Sequence, residues 1–162
     1  MTMDEPTPGR GAAGNGSEAL DEARSLRVAL GDAAEGVEDL IARPASDPRW
    51  ASRVGGAMDE LLEAFDDHVS EVEGDDGLLL QVVTDQPRLA NGVKRMYAEH
   101  IEIRSVLDDV LALVRRCGDG CDETAAESIR LATVDLLGLI SRHRQAGADL
   151  VYKAYNVDIG GG

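Results

Sequence analysis

Apolar residues recur every three or four positions along four long stretches of the chain, which is the spacing of an amphipathic α-helix. These stretches cover residues 17–41, 47–73, 85–117 and 124 onward. From Leu89 to Val114 the spacing alternates between four and three residues, the heptad pattern of a helix-bundle seam. A short apolar segment, residues 78–83, is either one or two helical turns or part of a connection. Strand-like alternation is absent, so the pattern predicts an all-α protein.

Residues that commonly begin helices stand at the start of three of these stretches. Ser17 is the predicted N-cap of the first helix, and Asp47 followed by Pro48 is the predicted start of the second. Thr124 and Glu127 have the spacing of a capping box at the start of the fourth.

Four amphipathic helices joined by short turns bury their apolar faces most simply against one another. We therefore predict an antiparallel up-down-up-down four-helix bundle over residues 17–159. Residues 1–16 carry several Gly, Pro and Thr and no apolar period, which predicts a disordered N-terminal tail. Residues 160–162 are predicted to be a flexible C-terminus.

Composition and charge exclude several classes of partner. The chain has 162 residues, the size of one domain, and its 31 Asp+Glu against 16 Lys+Arg give a net charge of −15. This balance argues against binding to nucleic acids or to anionic membrane surfaces. No apolar run approaches the roughly 20 residues of a membrane span, and the first residues lack the basic and apolar parts of a secretory signal. We expect a cytoplasmic protein.

All three histidines of the chain fall on apolar stripes, one on each of three predicted helices: His68, His100 and His143. A buried neutral imidazole must satisfy one donor and one acceptor nitrogen. Three imidazoles that converge inside a bundle could share a metal ion, since bundle cores commonly hold metals through inward-facing Glu and His. The alternative is that each histidine is bonded separately to a carboxylate or carbonyl at its own level.

Helical angles rank the acids near these histidines. Glu71, three residues after His68, lies on the same helix face and is our predicted fourth ligand. Glu73 lies about 140° from His68 and is expected to face solvent, given about 100° per residue. Glu99 is expected at the bundle edge beside His100, and Asp149 on the surface or hydrogen-bonded to a ligand.

The histidines and their neighbours resemble a known family. His68-Val-Ser-Glu71 in the second helix, Ala98-Glu99-His100 in the third and His143 in the fourth look like the hemerythrin-like, HHE cation-binding domain, over about residues 18–159. The resemblance implies an antiparallel four-helix bundle with a non-haem iron centre that binds or senses dioxygen, nitric oxide or peroxide. It leaves open whether the chain is an enzyme.

The chain departs from that family where further ligands are expected. The positions concerned hold Ala23, Val72 and Arg104, with Gly147 and Ala148 where a carboxylate would follow the last histidine. Two well-bound irons need more ligands than remain. A mononuclear iron or zinc site with three imidazoles and one oxygen ligand is one interpretation. The other is a metal-free bundle that acts as a structural or protein-interaction module, as a homodimer or with another partner.

Cys117 and Cys121 are the only cysteines, separated by three residues in a predicted turn. This is not the C-x-x-C spacing of redox or zinc sites. We expect a cysteine pair without a bond or a ligand, and a local disulfide or metal binding is the alternative.

Overall fold

The computed structural model describes residues 12–155, and helices account for most of them. The elements are α1 Ala12–Ile41, α2 Trp50–Glu73, α3 Leu78–Asp85, a 3-10 turn Pro87–Leu89, α4 Ala90–Cys117 and α5 Glu123–Tyr155. No strand occurs within residues 12–155, so the all-α prediction with four long helices is confirmed. The apolar segment 78–83 is helical and belongs to α3. Within this same range, no helix has the length and apolar content needed to cross a bilayer.

The predicted first helix start is wrong, because α1 begins at Ala12 and already contains Ser17. Residues 12–16 are therefore helical and not part of a disordered tail. The remainder of the predicted tail, residues 1–11, and the predicted flexible end, residues 160–162, lie outside the described residues.

The second helix also starts later than predicted, at Trp50. The Asp47 carboxylate accepts the backbone N–H of Arg49 at 2.9 Å, and the Asp47 carbonyl accepts that of Trp50 at 2.9 Å. Asp47 thus closes the turn before the helix and does not cap it.

The fourth long helix, α5, begins at Glu123, one residue before the predicted capping box. The Asp122 carboxylate accepts the backbone N–H of Ala125 at 2.8 Å, which is the bond an N-cap side chain makes to the third helical residue. The box predicted from Thr124 and Glu127 is therefore wrong, because Asp122 caps the helix.

The four long helices form a ring of neighbours: α1 packs against α2 and α5, and α4 packs against the same two helices. The indole N–H of Trp50 donates to the Leu40 carbonyl at 3.1 Å, which holds the end of α1 beside the start of α2. Three side-chain contacts join α2 to α4, and residue numbers increase along α2 as they decrease along α4. The pairs are Asp59–Arg115, Asp66–Arg104 and Glu73–His100.

Two apolar clusters fill the inside of this ring. The larger includes Phe65, Ile103 and Ile140. The smaller, which α3 helps to form, includes Val72, Leu79, Val82, Met96 and Leu150. On each of α2, α4 and α5 one histidine lies between a residue of the larger cluster and a residue of the smaller. The fold therefore places the three histidines in a single polar layer between two apolar layers.

The cysteines are joined, contrary to expectation. α4 ends at Cys117, whose sulfur is bonded to that of Cys121, with the Cα atoms 5.1 Å apart. Gly118 and Gly120 within this loop have φ angles of 57° and 97°, a left-handed region that glycine enters without a Cβ clash. The two glycines allow the tight reversal that brings the cysteines together, which their spacing alone did not indicate.

Candidate metal centre

His68 on α2, His100 on α4 and His143 on α5 are all buried, with exposed fractions of 8%, 4% and 3%. Each continues the series of buried positions on its helix, as in Phe65, His68 and Val72 on α2. The helical period thus turns all three rings towards the bundle axis. The prediction that the histidines occupy core-facing positions is confirmed.

The three rings meet through their Nε2 atoms. The Nε2 of His143 lies 3.3 Å from that of His68 and 3.1 Å from that of His100. Ring nitrogens bind zinc at about 2.0–2.1 Å, so two of them on one ion are separated by about 3.0 Å at a right angle and about 3.3 Å at a tetrahedral angle. One nitrogen from each histidine lies within 4.8 Å of the other two. The three histidines together could therefore hold a metal ion.

Two of the three rings also contact a carboxylate, through the Nδ1 atom on the side away from the other histidines. The Nδ1 of His100 lies 2.6 Å from Glu73 Oε1, and the Nδ1 of His143 lies 2.9 Å from Glu99 Oε2. A histidine that ligates a metal characteristically donates its other N–H to a carboxylate in this way. Glu73 was expected to face solvent, which is wrong: it is half-buried and reaches across to α4.

This arrangement brings unshared electron pairs together. While Glu73 and Glu99 are ionised, His100 and His143 must carry their protons on Nδ1 to donate to them, which leaves both Nε2 atoms as acceptors facing each other. Burial, and then the neighbouring histidines, lower the pKa of His68 to about 3; burial and His143 lower that of His100 to about 4. His68 and His100 are therefore neutral near pH 7. The Nε2 lone pairs of His100 and His143 converge where one cation would accept both. Burial also raises the pKa of Glu73.

His68 differs from the other two histidines at its outer nitrogen. Its Nδ1 is buried and makes no hydrogen bond to any residue that the structure describes. Arg27 of α1 lies near this ring, and its positive charge contributes to lowering the pKa of His68. One of the three rings thus lacks the carboxylate that orients the other two.

Glu71, the predicted fourth ligand, is half-buried near the end of α2. Within residues 12–155, the group of potential ligand atoms that lie within 4.8 Å of one another contains only the three histidines. The acids that touch the site are Glu73 and Glu99. The role of Glu71 as a ligand stays a prediction.

A cavity of about 40 Å³ adjoins the histidines. Its wall includes Ala23, Val72 and Gly147, which stand where the hemerythrin-like pattern has ligands. Apolar side chains from α3 and α4, including Leu79, Val82 and Met96, line much of the remainder. The space that further ligands would fill is therefore a small and mostly apolar chamber.

Two arginines also line this cavity, Arg27 of α1 and Arg144 of α5. Both are half-buried. Burial, followed by the charges of Arg24 and Arg144, lowers the pKa of Arg27. Arg104 belongs to the surface, since it forms ion pairs with Asp66 and Asp108. Arg27 and Arg144 are thus the arginines beside the cavity, and neither was predicted from the sequence.

A signal for these arginines exists in the sequence, because Arg27 follows Leu26, a residue of the apolar stripe of the first helix, and Arg144 follows His143.

No protein-family model, no curated protein and no solved structure matches this chain. The hemerythrin-like resemblance consequently rests on the residues quoted for it alone.

Proposed function

We propose that this chain binds one transition-metal ion through the Nε2 atoms of His68, His100 and His143, with non-haem iron as the first candidate and zinc as the second. The observation that carries the proposal is the convergence of three buried imidazole nitrogens, two of them on rings fixed from behind by a carboxylate. Imidazole ligands suit both metals.

The proposal includes a hemerythrin-like, antiparallel up-down-up-down topology. The α2–α4 contacts support opposite directions, since positions 59, 66 and 73 face 115, 104 and 100. The contact of Ile41 with Arg130, together with the approach of Gly31 to Arg144, supports the same relation between α1 and α5.

One ion fits the residues better than two. Glu73 and Glu99 are bonded to the Nδ1 atoms, on the far side of the rings from the converging Nε2 atoms. Neither can bridge a second ion from that position. The remaining candidate positions are filled by Ala23, Val72 and Gly147, which offer no side-chain ligand.

Three protein ligands leave a coordination position open, as in metal sites that bind or activate small molecules. The cavity of about 40 Å³ has room for roughly three water-sized molecules, at about 10–15 Å³ each. An iron ion held there would supply reversible binding of dioxygen, nitric oxide or peroxide, the ligands that the resemblance implies. Leu79, Val82 and Met96 limit the water that competes for this space.

A metal-free interaction module is the second candidate. Arg27 and Arg144 place positive charge beside the site, which opposes a cation. Exposed apolar side chains, including Ile101 and Leu131, offer contacts to a second copy or to another protein. The cytoplasmic location stays a prediction, and a disulfide is more usual in oxidising compartments.

Metal analysis of protein prepared without a histidine tag tests the proposal. We expect close to one iron or zinc per chain after reconstitution under anaerobic conditions and removal of excess metal. His100→Leu should lower the affinity at least tenfold. Thr133→Val is the matched control, because Thr133 is also buried, on α5, but its hydroxyl makes no hydrogen bond within residues 12–155.

The outcomes separate the two candidates. Wild-type protein that folds but retains no iron or zinc would reject the metal centre and favour the interaction module. Full metal content in His100→Leu would instead reject this set of ligands. Circular dichroism on each variant confirms that the helices are intact.

A further inference from the structure

The side of α5 that faces away from the bundle carries no charge over about five helical turns. Its positions follow one another at three or four residues, and all are exposed or half-buried. This outer face consists of Leu131, Val134, Gly138, Ser141, Gln145 and Ala148. Charged residues make up 29% of the chain, so an exposed helix face should carry several. A long uncharged face is typical of the centre of a protein contact, where charge is depleted.

Two large apolar side chains stand on this outer face, one turn apart. Leu131 is 62% exposed and Val134 is 57% exposed. A single exposed apolar residue is ordinary on a protein surface. Two on an uncharged helix face form a continuous patch that a partner would remove from water.

One flank of the outer face carries two opposite charges, Asp135 and Arg142. Seven residues are almost two full turns, so both side chains project from the same side of α5, about 10 Å apart along it. Neither takes part in an ion pair among residues 12–155. The Arg142 guanidinium lies beside Gly138, where an added Cβ would be 3.3 Å from Nη1. The two charges are thus placed almost symmetrically about Gly138, in the middle of the outer face.

We propose that α5 pairs with α5 of a second copy of this chain, antiparallel, about a twofold axis close to Gly138. An axis perpendicular to the helices reverses their direction and brings the same flank of each copy together. Asp135 of each copy then faces Arg142 of the other, which gives two equivalent ion pairs. The uncharged faces meet between them, with Val134 of one copy near Ser141 of the other. The charge pattern of α5 is therefore complementary to itself, as a twofold interface requires.

The size and charge of this contact predict a weak dimer. Interfaces that bury less than about 1,200 Å² in total are typical of transient pairs, and one pair of helices belongs to this class. Two chains of net charge −15 also repel each other. Glu127 and Asp149 lie eleven residues on either side of Gly138 and would meet as like charges, about 16 Å from the axis, where crossing helices diverge. The contact is thus confined to the central turns, and it uses none of the three histidines.

Charge reversal with sedimentation equilibrium tests the pairing. We expect the wild type to show a reversible monomer–dimer equilibrium. Arg142→Asp and Asp135→Arg each place like charges opposite one another in a homodimer, so each should raise the dissociation constant at least tenfold. An equimolar mixture of these two variants should dimerise again, because every aspartate of one then faces an arginine of the other.

Val134→Lys tests the apolar part of the face, and Val28→Lys is its matched control. Val28 lies on α1 and is 52% exposed, close to the 57% of Val134. We expect at least tenfold weaker dimerisation for Val134→Lys and less than a twofold change for Val28→Lys. A wild type that stays monomeric at about 1 mM chain, or a mixture of the two charge variants that stays monomeric, would overturn the pairing. Metal content of the same samples reports on the metal centre independently, because none of these variants removes a histidine.

Discussion

The carboxylate that orients His100 provides the sharpest test of how the metal centre is built. Glu73→Gln keeps the size of the side chain and one oxygen acceptor, but it removes the negative charge. The bond it alters is the 2.6 Å contact to the Nδ1 of His100. A weaker partner at Nδ1 leaves the ring freer to rotate and makes Nε2 less basic, so the metal affinity should fall.

The expected loss of metal affinity can be estimated from this contact. Loss of such a partner typically lowers metal affinity by about 10- to 100-fold, which is about 1.4 to 2.7 kcal/mol of binding free energy. Glu73 is only partly shielded from water, since 29% of its side chain is exposed. Gln also still accepts a hydrogen bond. We therefore expect about tenfold for Glu73→Gln, with Glu73→Ala nearer to 100-fold because it leaves a buried N–H without an acceptor.

Competition with a chromogenic chelator at fixed pH measures these affinities, and Glu71→Gln is the matched control. Glu71 is on the same helix, two residues earlier, and loses the same charge, but it lies outside the histidine group. We expect less than a threefold change there. A larger loss for Glu71→Gln than for Glu73→Gln would refute this reasoning and would identify Glu71 as the ligand that its helical spacing predicts.

Two further outcomes follow from the site and the α4–α5 loop. In metal-free protein the pKa values of His68 and His100 lie at about 3 and 4 when folded but near 6.5 when unfolded, so stability is complete above about pH 6.5 and falls as the pH drops. The free energy of unfolding, measured by urea titration between pH 7.5 and 5, should fall by up to about 2.7 kcal/mol per pH unit. A free energy that does not change with pH would contradict the neutral buried histidines. Reduction of the Cys117–Cys121 bond, which closes a five-residue loop, should cost about 2 kcal/mol of unfolding free energy by urea titration. Cys117→Ser with Cys121→Ser should make stability insensitive to reductant and leave metal content unchanged, and any loss of metal would contradict a purely structural disulfide.

The helices and the histidine layer could be predicted because both follow from the period of the chain. His68, His100 and His143 each continue a series of buried positions, and a side chain on such a series must face the axis whatever its chemistry. Helix ends were less predictable. Asp47 and Thr124 both have residue types that favour an N-cap, but backbone geometry, not residue type, decides where a helix begins.

The supporting carboxylates were missed for a geometric reason. An angle of 140° around α2 places Glu73 far from His68. In a ring of four helices, however, the side of α2 that carries Glu73 faces the neighbouring helix α4. Glu73 therefore reaches His100 on α4, and Glu99 reaches His143 on α5, as contacts between helices. Sequence alone does not give the register of one helix against another, so only the folded arrangement shows which acid serves which ring.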